Sequence, residues 1–188
     1  MAELFYIIGA SGVGKDSLLN HVRSHIQHHA PVVFAHRYIT RPADAGAENH
    51  IALSEDEFAC RERMGCFAMR WYRHRTCYGI GIEINQWLGK GLNVVVNGSR
   101  AYLDQATRKY AELRPVLITA ETEILRERLR SRGRETADEI EQRLSRAKQM
   151  DEQTRHPRLA RISNNGDLAE AGERLIELIQ GRVMWTCV

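Results

Sequence analysis

The sequence predicts an α/β fold with a parallel sheet covered by helices on both faces, and three observations predict it. Leu4-Phe5-Tyr6-Ile7-Ile8 is an apolar run followed at once by the glycine-rich turn Gly9-Ala10-Ser11-Gly12-Val13-Gly14-Lys15. Apolar strand-like runs then alternate with stretches of helical periodicity along the chain. The strongest run, Leu92-Asn93-Val94-Val95-Val96, ends in the polar residues Asn97-Gly98-Ser99-Arg100. Open parallel sheets bind ligands beyond the carboxyl ends of such buried strands.

Strand, glycine-rich turn, lysine and helix make up the layout of a phosphate-binding loop. Gly9, Gly12 and Gly14 let the backbone, including Ala10, Ser11 and Val13, wind close to a polyphosphate so that successive N–H groups converge on its oxygens. The positive end of the helix adds to that field, and Lys15 is expected to reach the β- and γ-phosphates as a point charge. After Gly-Lys a Ser or Thr is usual, yet Asp16 comes first here and Ser17 second. A carboxylate beside triphosphate oxygens is repulsive unless a cation lies between. Asp16 is therefore expected to face Mg²⁺, directly or through water, with Ser17 beside it. The plainer alternative is a glycine-rich turn that merely starts a helix.

The remaining elements follow in order. A helix is expected from Asp16 to about His29, with His21, His25 and His28 on one face. No carboxylate or cysteine accompanies them, so they read as a solvated helix end rather than a metal site. Pro31 breaks the helix, and Val32-Val33-Phe34-Ala35 reads as a strand. His36 to His50 reads as a loop or small irregular subdomain. Ser54-Glu55-Asp56-Glu57 has the form of a capping box and predicts a helix to about Arg63. Phe67 to Tyr72 and Cys77 to Ile80 read as short strands around Arg73-His74-Arg75, and Ile82 to Leu88 as a helix closed by Gly89 and Gly91. A helix from about Ala101 to Leu113 follows the central strand, then a strand from Pro115 to Thr119 and a helix from Glu121 to Arg130. Arg126, Arg128, Arg130, Arg132 and Arg134 cluster near Gly133, ahead of a helix from Ala137 to about Gln153. That pattern suits a lid closing over phosphates, and equally a solvated helix end whose arginines complement the helix dipole. Arg158 to Ser163 reads as a last strand, Asn164-Asn165-Gly166 as a turn and Leu168 to Ile179 as a closing helix.

Length and charge bound the rest. A chain of 188 residues fits one domain over residues 1–188, and folding at this size buries roughly 70% of the unfolded surface. Within it, an acceptor-binding insertion is expected at about 37–82 and a lid at about 130–137. Cys60, Cys66, Cys77 and Cys187 form no C-x-x-C pair, which gives zinc or redox chemistry little support. With no apolar run long enough for a bilayer and no leader-like start, the expected compartment is the cytoplasm and no membrane is involved. Only four of the 27 basic residues are lysines, and arginine is the residue for bidentate phosphate recognition. The basic residues form no long block and carry no aromatic stacking motif, so no nucleic-acid partner is expected. The expected partners are small-molecule substrates; the sequence carries no signature of an oligomeric state.

These motifs together resemble the guanylate-kinase-like branch of the nucleoside monophosphate kinases, which implies a P-loop kinase fold with an acceptor-binding subdomain and an Arg-lined lid. Thr40-Arg41 resembles the start of that branch's acceptor-phosphate site, and Tyr78-Gly79 its Tyr-Gly. Arg132, Gly133 and Arg134 match its lid, and Arg143 the arginine that reaches the transferring phosphate. Asn164 resembles the asparagine lying near the adenine of ATP. Departures are informative too. Asp44 stands near the place of the second acceptor-phosphate arginine, and Tyr72 aligns with the glutamate that reads guanine. Asn97 and Ser99 replace two aspartates. A guanine edge without its carboxylate acceptors is poorly read, so GMP is not the expected acceptor.

A closer resemblance accounts for these changes together. Gly-Lys-Asp-Ser-Leu-Leu (14–19), Ala-His-Arg-Tyr-Ile-Thr-Arg (35–41), Glu-Asn-His-Ile-Ala-Leu-Ser (48–54), Tyr-Gly-Ile-Gly-Ile-Glu-Ile (78–84) and Val-Val-Val-Asn-Gly-Ser-Arg (94–100) are similar to the ribose 1,5-bisphosphate phosphokinases of bacterial phosphonate utilisation. The resemblance implies ATP and Mg²⁺ as donor and metal, and transfer of a phosphoryl group onto ribose 1,5-bisphosphate. Lys15, Arg132, Arg134 and Arg143 are then expected at the transferring group. Arg37, Arg41, Tyr78 and Arg100 are candidates for the acceptor phosphates, and Asn97 and Ser99 for ribose hydroxyls. Against each acceptor assignment stands a plainer one: Arg37 and Arg100 as surface ion pairs, Tyr78 as a core residue. The rival activities are a kinase for a nucleotide acceptor and a non-catalytic guanylate-kinase-like binding module. Such modules tend to lose the phosphate loop, which is intact here.

Overall fold

The structure is a computed structural model that describes residues 2–26, 30–43, 48–73, 75–133 and 135–181. Its residues group into two compact units, Met1–Tyr6 with His28–Arg114 and Ile7–Gln27 with Pro115–Val188. The strands are β1 (Leu4–Gly9), β2 (Val32–Phe34), β3 (Arg37–Ile39), β4 (Ile51–Ala52), β5 (Phe67–Arg73), β6 (Thr76–Gly81), β7 (Asn93–Asn97), β8 (Leu113–Thr119) and β9 (Ala160–Ser163). A central sheet has the order β2-β7-β1-β8-β9, and a smaller one the order β4-β3-β6-β5. The central sheet is parallel and flanked by helices, with β2 on β7 and β8 on β9 in parallel register. Among the described residues no helix is long and apolar enough to cross a membrane.

In the first unit, β7 buries Val94, Val95 and Val96 and β1 buries Leu4, Phe5 and Tyr6. Strands covered on both faces read as continuous apolar runs, which is why both were legible. The smaller sheet grows from a hairpin of β5 and β6, to which β3 adds antiparallel on β6, with β4 parallel on β3. Helix α2 (Glu55–Arg63) starts where Ser54 accepts the Glu57 N–H, as the sequence predicts. It buries Phe58, whose ring stacks on Phe67 at 4.6 Å; full burial of such a side chain contributes about 1.5–3 kcal/mol. Helix α3 (Glu83–Gly89) and helix α4 (Leu103–Lys109) complete the unit.

Two expectations fail here for physical reasons. The polar stretch 36–50 holds strand β3, because Arg37, Tyr38 and Ile39 pair with Ile80, Gly79 and Tyr78; tertiary pairing outweighs a polar composition. The helix expected from Ala101 to Leu113 is shorter. A 3-10 turn at Arg100–Tyr102 precedes α4, and Leu113 belongs to β8. Pro115 restricts Arg114 to extended backbone, and the fully buried Leu113 goes with it.

The second unit packs helix α1 (Lys15–His25) against helix α7 (Leu168–Ile179). Leu18, Leu19 and Val22 of one helix and Leu175, Ile176 and Ile179 of the other are buried. His21 is part of this contact rather than of a solvated end. A Cβ on Gly172 would lie 2.4 Å from its ring, and His25 stacks on it at 4.0 Å. Helix α1 stops at His25, short of His29, where Ser24 and His25 side chains both reach the His21 carbonyl; His28 and His29 lie outside the described residues. Helix α5 (Thr122–Arg132) packs on helix α6 (Ala137–Gln153), whose bounds match the sequence reading. Thr136 and Glu139 form a reciprocal capping box at its start.

Candidate active site

The phosphate loop lies in the second unit. Gly14 caps α1 in the left-handed region at φ 90°, with no side-chain cap; such a start presents helix N–H groups to an anion. A side chain there would also collide, since its Cβ would stand 2.5 Å from Asn164 Nδ2. Lys15 folds back over the loop, and its Nζ donates to the carbonyls of Gly9 (3.0 Å) and Ala10 (3.1 Å). Asp16 is half-buried, while Ser11 and Ser17 are exposed.

From behind, two residues hold this loop. Asn164 is 2% exposed, and its Nδ2 donates to the Val13 carbonyl at 2.8 Å. Its own N–H donates to the Thr119 carbonyl at 2.8 Å, joining the end of β9 to β8. Arg128 Nη1 donates to the carbonyls of Val13 (3.3 Å) and Asn164 (3.0 Å). What the structure shows of Asn164 is thus support for the loop, not an open face for adenine. Arg128 counted in the sequence only as one of an alternating arginine series; its role depends on a contact 115 positions away. A groove of about 640 Å³ borders Ala10 and Val13, with Leu125, Leu144 and Leu159 in its lining and neither Lys15 nor Ser17. It is therefore not the phosphate site.

The arginine cluster divides. Gly133 closes α5 in the left-handed region. Arg126 pairs with Glu123 and, at 2.7 Å, with Glu141, tying α5 to α6. Arg143 pairs with Glu135 at 2.8 Å and keeps 45% of its side chain exposed. Arg130 and Arg132 are exposed; Arg134 lies outside the described residues. Of the expected lid arginines, Arg126 and Arg128 are thus committed to the unit's own framework.

The candidate acceptor residues lie in the first unit, and three of them, Arg37, Arg41 and Asn97, converge on Glu48. Arg37 donates to both its carboxylate oxygens through Nε and Nη2. Arg41 Nη2 reaches Oε2 at 3.4 Å and Asn97 Nδ2 reaches Oε1 at 3.3 Å. Burial pushes the Glu48 carboxyl up, but the Arg37 hydrogen bonds and the charges of Arg37, Arg41 and His50 outweigh it, holding the group below its ordinary value. His50 is buried and ties Arg41 to Glu48, with ring nitrogens 3.2 Å and 3.0 Å from their carbonyls. Thr40 Oγ1 accepts the Cys77 N–H at 2.9 Å, which fixes the base of Arg41 against β6. Tyr78 lies between Trp71, stacked at 5.6 Å, and Arg37, 5.1 Å from its ring centre. Arg37 therefore forms a part-buried pair with Glu48, not a surface one.

At the end of β7, Gly98 passes so close to the Tyr6 ring that a Cβ would lie 2.3 Å from it. The Tyr6 hydroxyl receives the Ser99 N–H at 2.9 Å and donates to the Ser99 carbonyl at 3.2 Å. Burial pushes that hydroxyl well above its ordinary value, so it remains a donor. Arg100 opens the 3-10 turn that follows. Tyr72 is 61% exposed, and its hydroxyl donates to Glu62. Asp44 lies outside the described residues. The sequence reading assigned no role to Glu48, His50, Trp71 or Tyr6; of these only Glu48 and His50 fell in a motif, and neither spacing nor periodicity marked them.

The fold and this loop define a kinase of the P-loop class. A guanylate kinase from Anaplasma phagocytophilum superposes with a TM-score of 0.69 at 17% identity, over 99% of this chain and 88% of its own. At that identity the likeness shows the fold alone. No protein-family model matches the chain. Curated relatives do. A protein named ribose 1,5-bisphosphate phosphokinase PhnN from Desulfomicrobium baculatum is 55% identical over 179 residues, covering 95% of each chain. One of the same name from Thiobacillus denitrificans is 53% identical over 179 residues, 94% of this chain and 92% of its own. A third, from Psychromonas ingrahamii, is 48% identical over 182 residues, 97% and 92% of the two chains. The chain belongs to the ribose 1,5-bisphosphate phosphokinase PhnN family.

Proposed function

We propose that this chain transfers the terminal phosphoryl group of ATP to the 1-phosphate of ribose 1,5-bisphosphate, giving 5-phosphoribosyl 1-diphosphate in phosphonate utilisation. The observation that carries this reading is about 50% identity, over nearly the whole length, to proteins bearing that enzyme's name. The site agrees with it: Tyr72, which aligns with the guanine-reading glutamate of guanylate kinases, commits its hydroxyl to Glu62. The nucleophile is a phosphate oxygen already ionised near neutrality, so no general base is required. The protein's work is in-line positioning and neutralisation of charge.

Lys15 leaves the Gly9 and Ala10 carbonyls to hold the donor's β- and γ-oxygens, while Asn164 and Arg128 keep the loop in shape. Arg132, Arg134 and Arg143 cover the transferring group, Arg143 by releasing Glu135. Arg37, Arg41, Tyr78 and Arg100 serve the acceptor phosphates, and Asn97 and Ser99 the ribose hydroxyls. Asp16 and Ser17 fit Mg²⁺. They offer hard oxygens at the start of α1, and no described cluster of three His, Cys, Asp or Glu stands ready as an all-protein cage. Mg²⁺ typically keeps waters and substrate phosphates in its shell. When bound it would neutralise negative charge on the donor phosphates.

Phosphorus NMR of a reaction with ATP, Mg²⁺ and ribose 1,5-bisphosphate is expected to show ADP and a new diphosphate on the sugar. ADP release that is faster with GMP or another nucleoside monophosphate would make the chain a nucleotide kinase instead.

A further inference from the structure

Glu48 is an acid placed where phosphates are to be bound, which needs a reason. A carboxylate weakens an arginine site for anions, yet its oxygens are the natural acceptors for hydroxyl groups. Its geometry is divided in two. Arg37 grips both oxygens from one side as a fork, and Arg37 is itself fixed, 14% exposed and facing the Tyr78 ring. On the other side stand Arg41 at 3.4 Å from Oε2 and Asn97 at 3.3 Å from Oε1. Both contacts are longer than the roughly 2.7–3.2 Å of ordinary N–H···O bonds. Each oxygen therefore has one direction firmly used and one loosely held.

We propose that Glu48 determines specificity by accepting the 2- and 3-hydroxyls of the acceptor's ribose ring at these two loosely held positions. Hydroxyl-to-carboxylate bonds are short and strong, and an acidic side chain on a ribose hydroxyl is a recurrent mode of recognition. Arg41, displaced from Oε2, turns its guanidinium to a phosphate of the same sugar; its Nε is buried without a hydrogen-bond partner among the described residues. Asn97 exchanges its contact with Oε1 for the incoming hydroxyl oxygen. The sugar thus frees the group that binds its phosphate. This inference rests on the sugar-phosphate activity proposed above and names how that acceptor is recognised.

The test is steady-state kinetics of the full chain on ribose 1,5-bisphosphate and 2-deoxyribose 1,5-bisphosphate. Wild type is expected to prefer the ribose by about 10²-fold or more in kcat/KM, because the deoxy sugar leaves one Glu48 oxygen without the hydroxyl it is placed to receive. In Glu48→Gln the preference is expected to shrink to a few-fold, through a loss on the ribose much larger than that on the deoxy sugar, which keeps only the 3-hydroxyl, with little change in KM for ATP. Glu48→Asp, which keeps the charge but withdraws the carboxylate, is expected to fall between. An equal loss on both sugars would reduce Glu48 to a prop for the arginines and overturn the inference. So would a wild type indifferent to the 2-hydroxyl, a result that needs no variant to fold. A wild type inactive on both sugars but active on a nucleoside monophosphate would overturn the parent activity, and this inference with it.

Discussion

The phosphate loop and the acceptor cluster are held in shape by different kinds of force. The loop is held by backbone geometry: glycines in conformations other residues avoid, a buried amide on the Val13 carbonyl and one arginine behind. The candidate acceptor cluster is held by charge, with two arginines gathered on a single part-buried carboxylate. A donor polyphosphate is the same in every ATP reaction, so a rigid cradle serves it. Acceptors differ between kinases, and a cluster of exchangeable polar contacts can be re-tuned by single side chains. The loop should therefore fail by strain and the cluster by loss of selectivity.

The largest expected break comes from Gly14→Ala. A left-handed alanine costs about 1–2 kcal/mol, and displacing Asn164 from Val13 costs about another 1–3 kcal/mol. Together these correspond to roughly 30-fold or more in kcat/KM for ATP. Equilibrium nucleotide binding checks it, and an unaltered affinity would show that the loop is not held from behind. Arg128→Ala should do less. It removes charge-assisted bonds worth about 1.5–3 kcal/mol, part of which Asn164 retains by its own bond to Val13. KM for ATP is expected to rise about tenfold while KM for the sugar stays put. A shift in the sugar's KM alone would break the distinction between the two regions.

The same difference decides what could be read in advance. The loop was legible because its information is local: strand, glycines, lysine and helix follow one another within Leu4–His25. The alternating strands and helices gave the fold for the same reason, and α6 and α7 matched to the residue. The acceptor cluster is not local. Arg37, Glu48 and Asn97 meet across 49 positions between Glu48 and Asn97, and a single glutamate in a charged stretch carries no period. Arg37 and Arg100 looked alike as candidate phosphate ligands, yet Arg37 stacks on Tyr78 and is clamped by Glu48. Arg128 and Arg126 shared one arginine series but serve different partners, Val13 in one case and Glu141 in the other. Resemblance supplied the candidate residues; only the folded contacts supplied what each one touches.

The smallest expected effect is also the one that separates the two forces most cleanly. Asn164 and the Val13 carbonyl carry no titratable proton, whereas Glu48 does. Its carboxyl is held below the ordinary value in the folded state, despite burial, by Arg37, Arg41 and His50. A depressed value means that the folded state favours the ionised form. Its contribution to stability is then complete above the ordinary carboxylate value of about 4.3 and is lost as the pH falls through the lower folded value. Other carboxylates titrate in the same window, so the readout is a difference. The gap in urea-unfolding free energy between wild type and Glu48→Gln is expected to be constant from neutrality down to the ordinary carboxylate value of about 4.3 and to narrow below it. For Asn164→Ala against wild type, the gap is expected to show no such narrowing. A gap for Glu48→Gln that stays level through the acid range would mean that the carboxylate's charge does not hold the arginines, and the acceptor cluster would then be fixed by packing like the rest of the first unit.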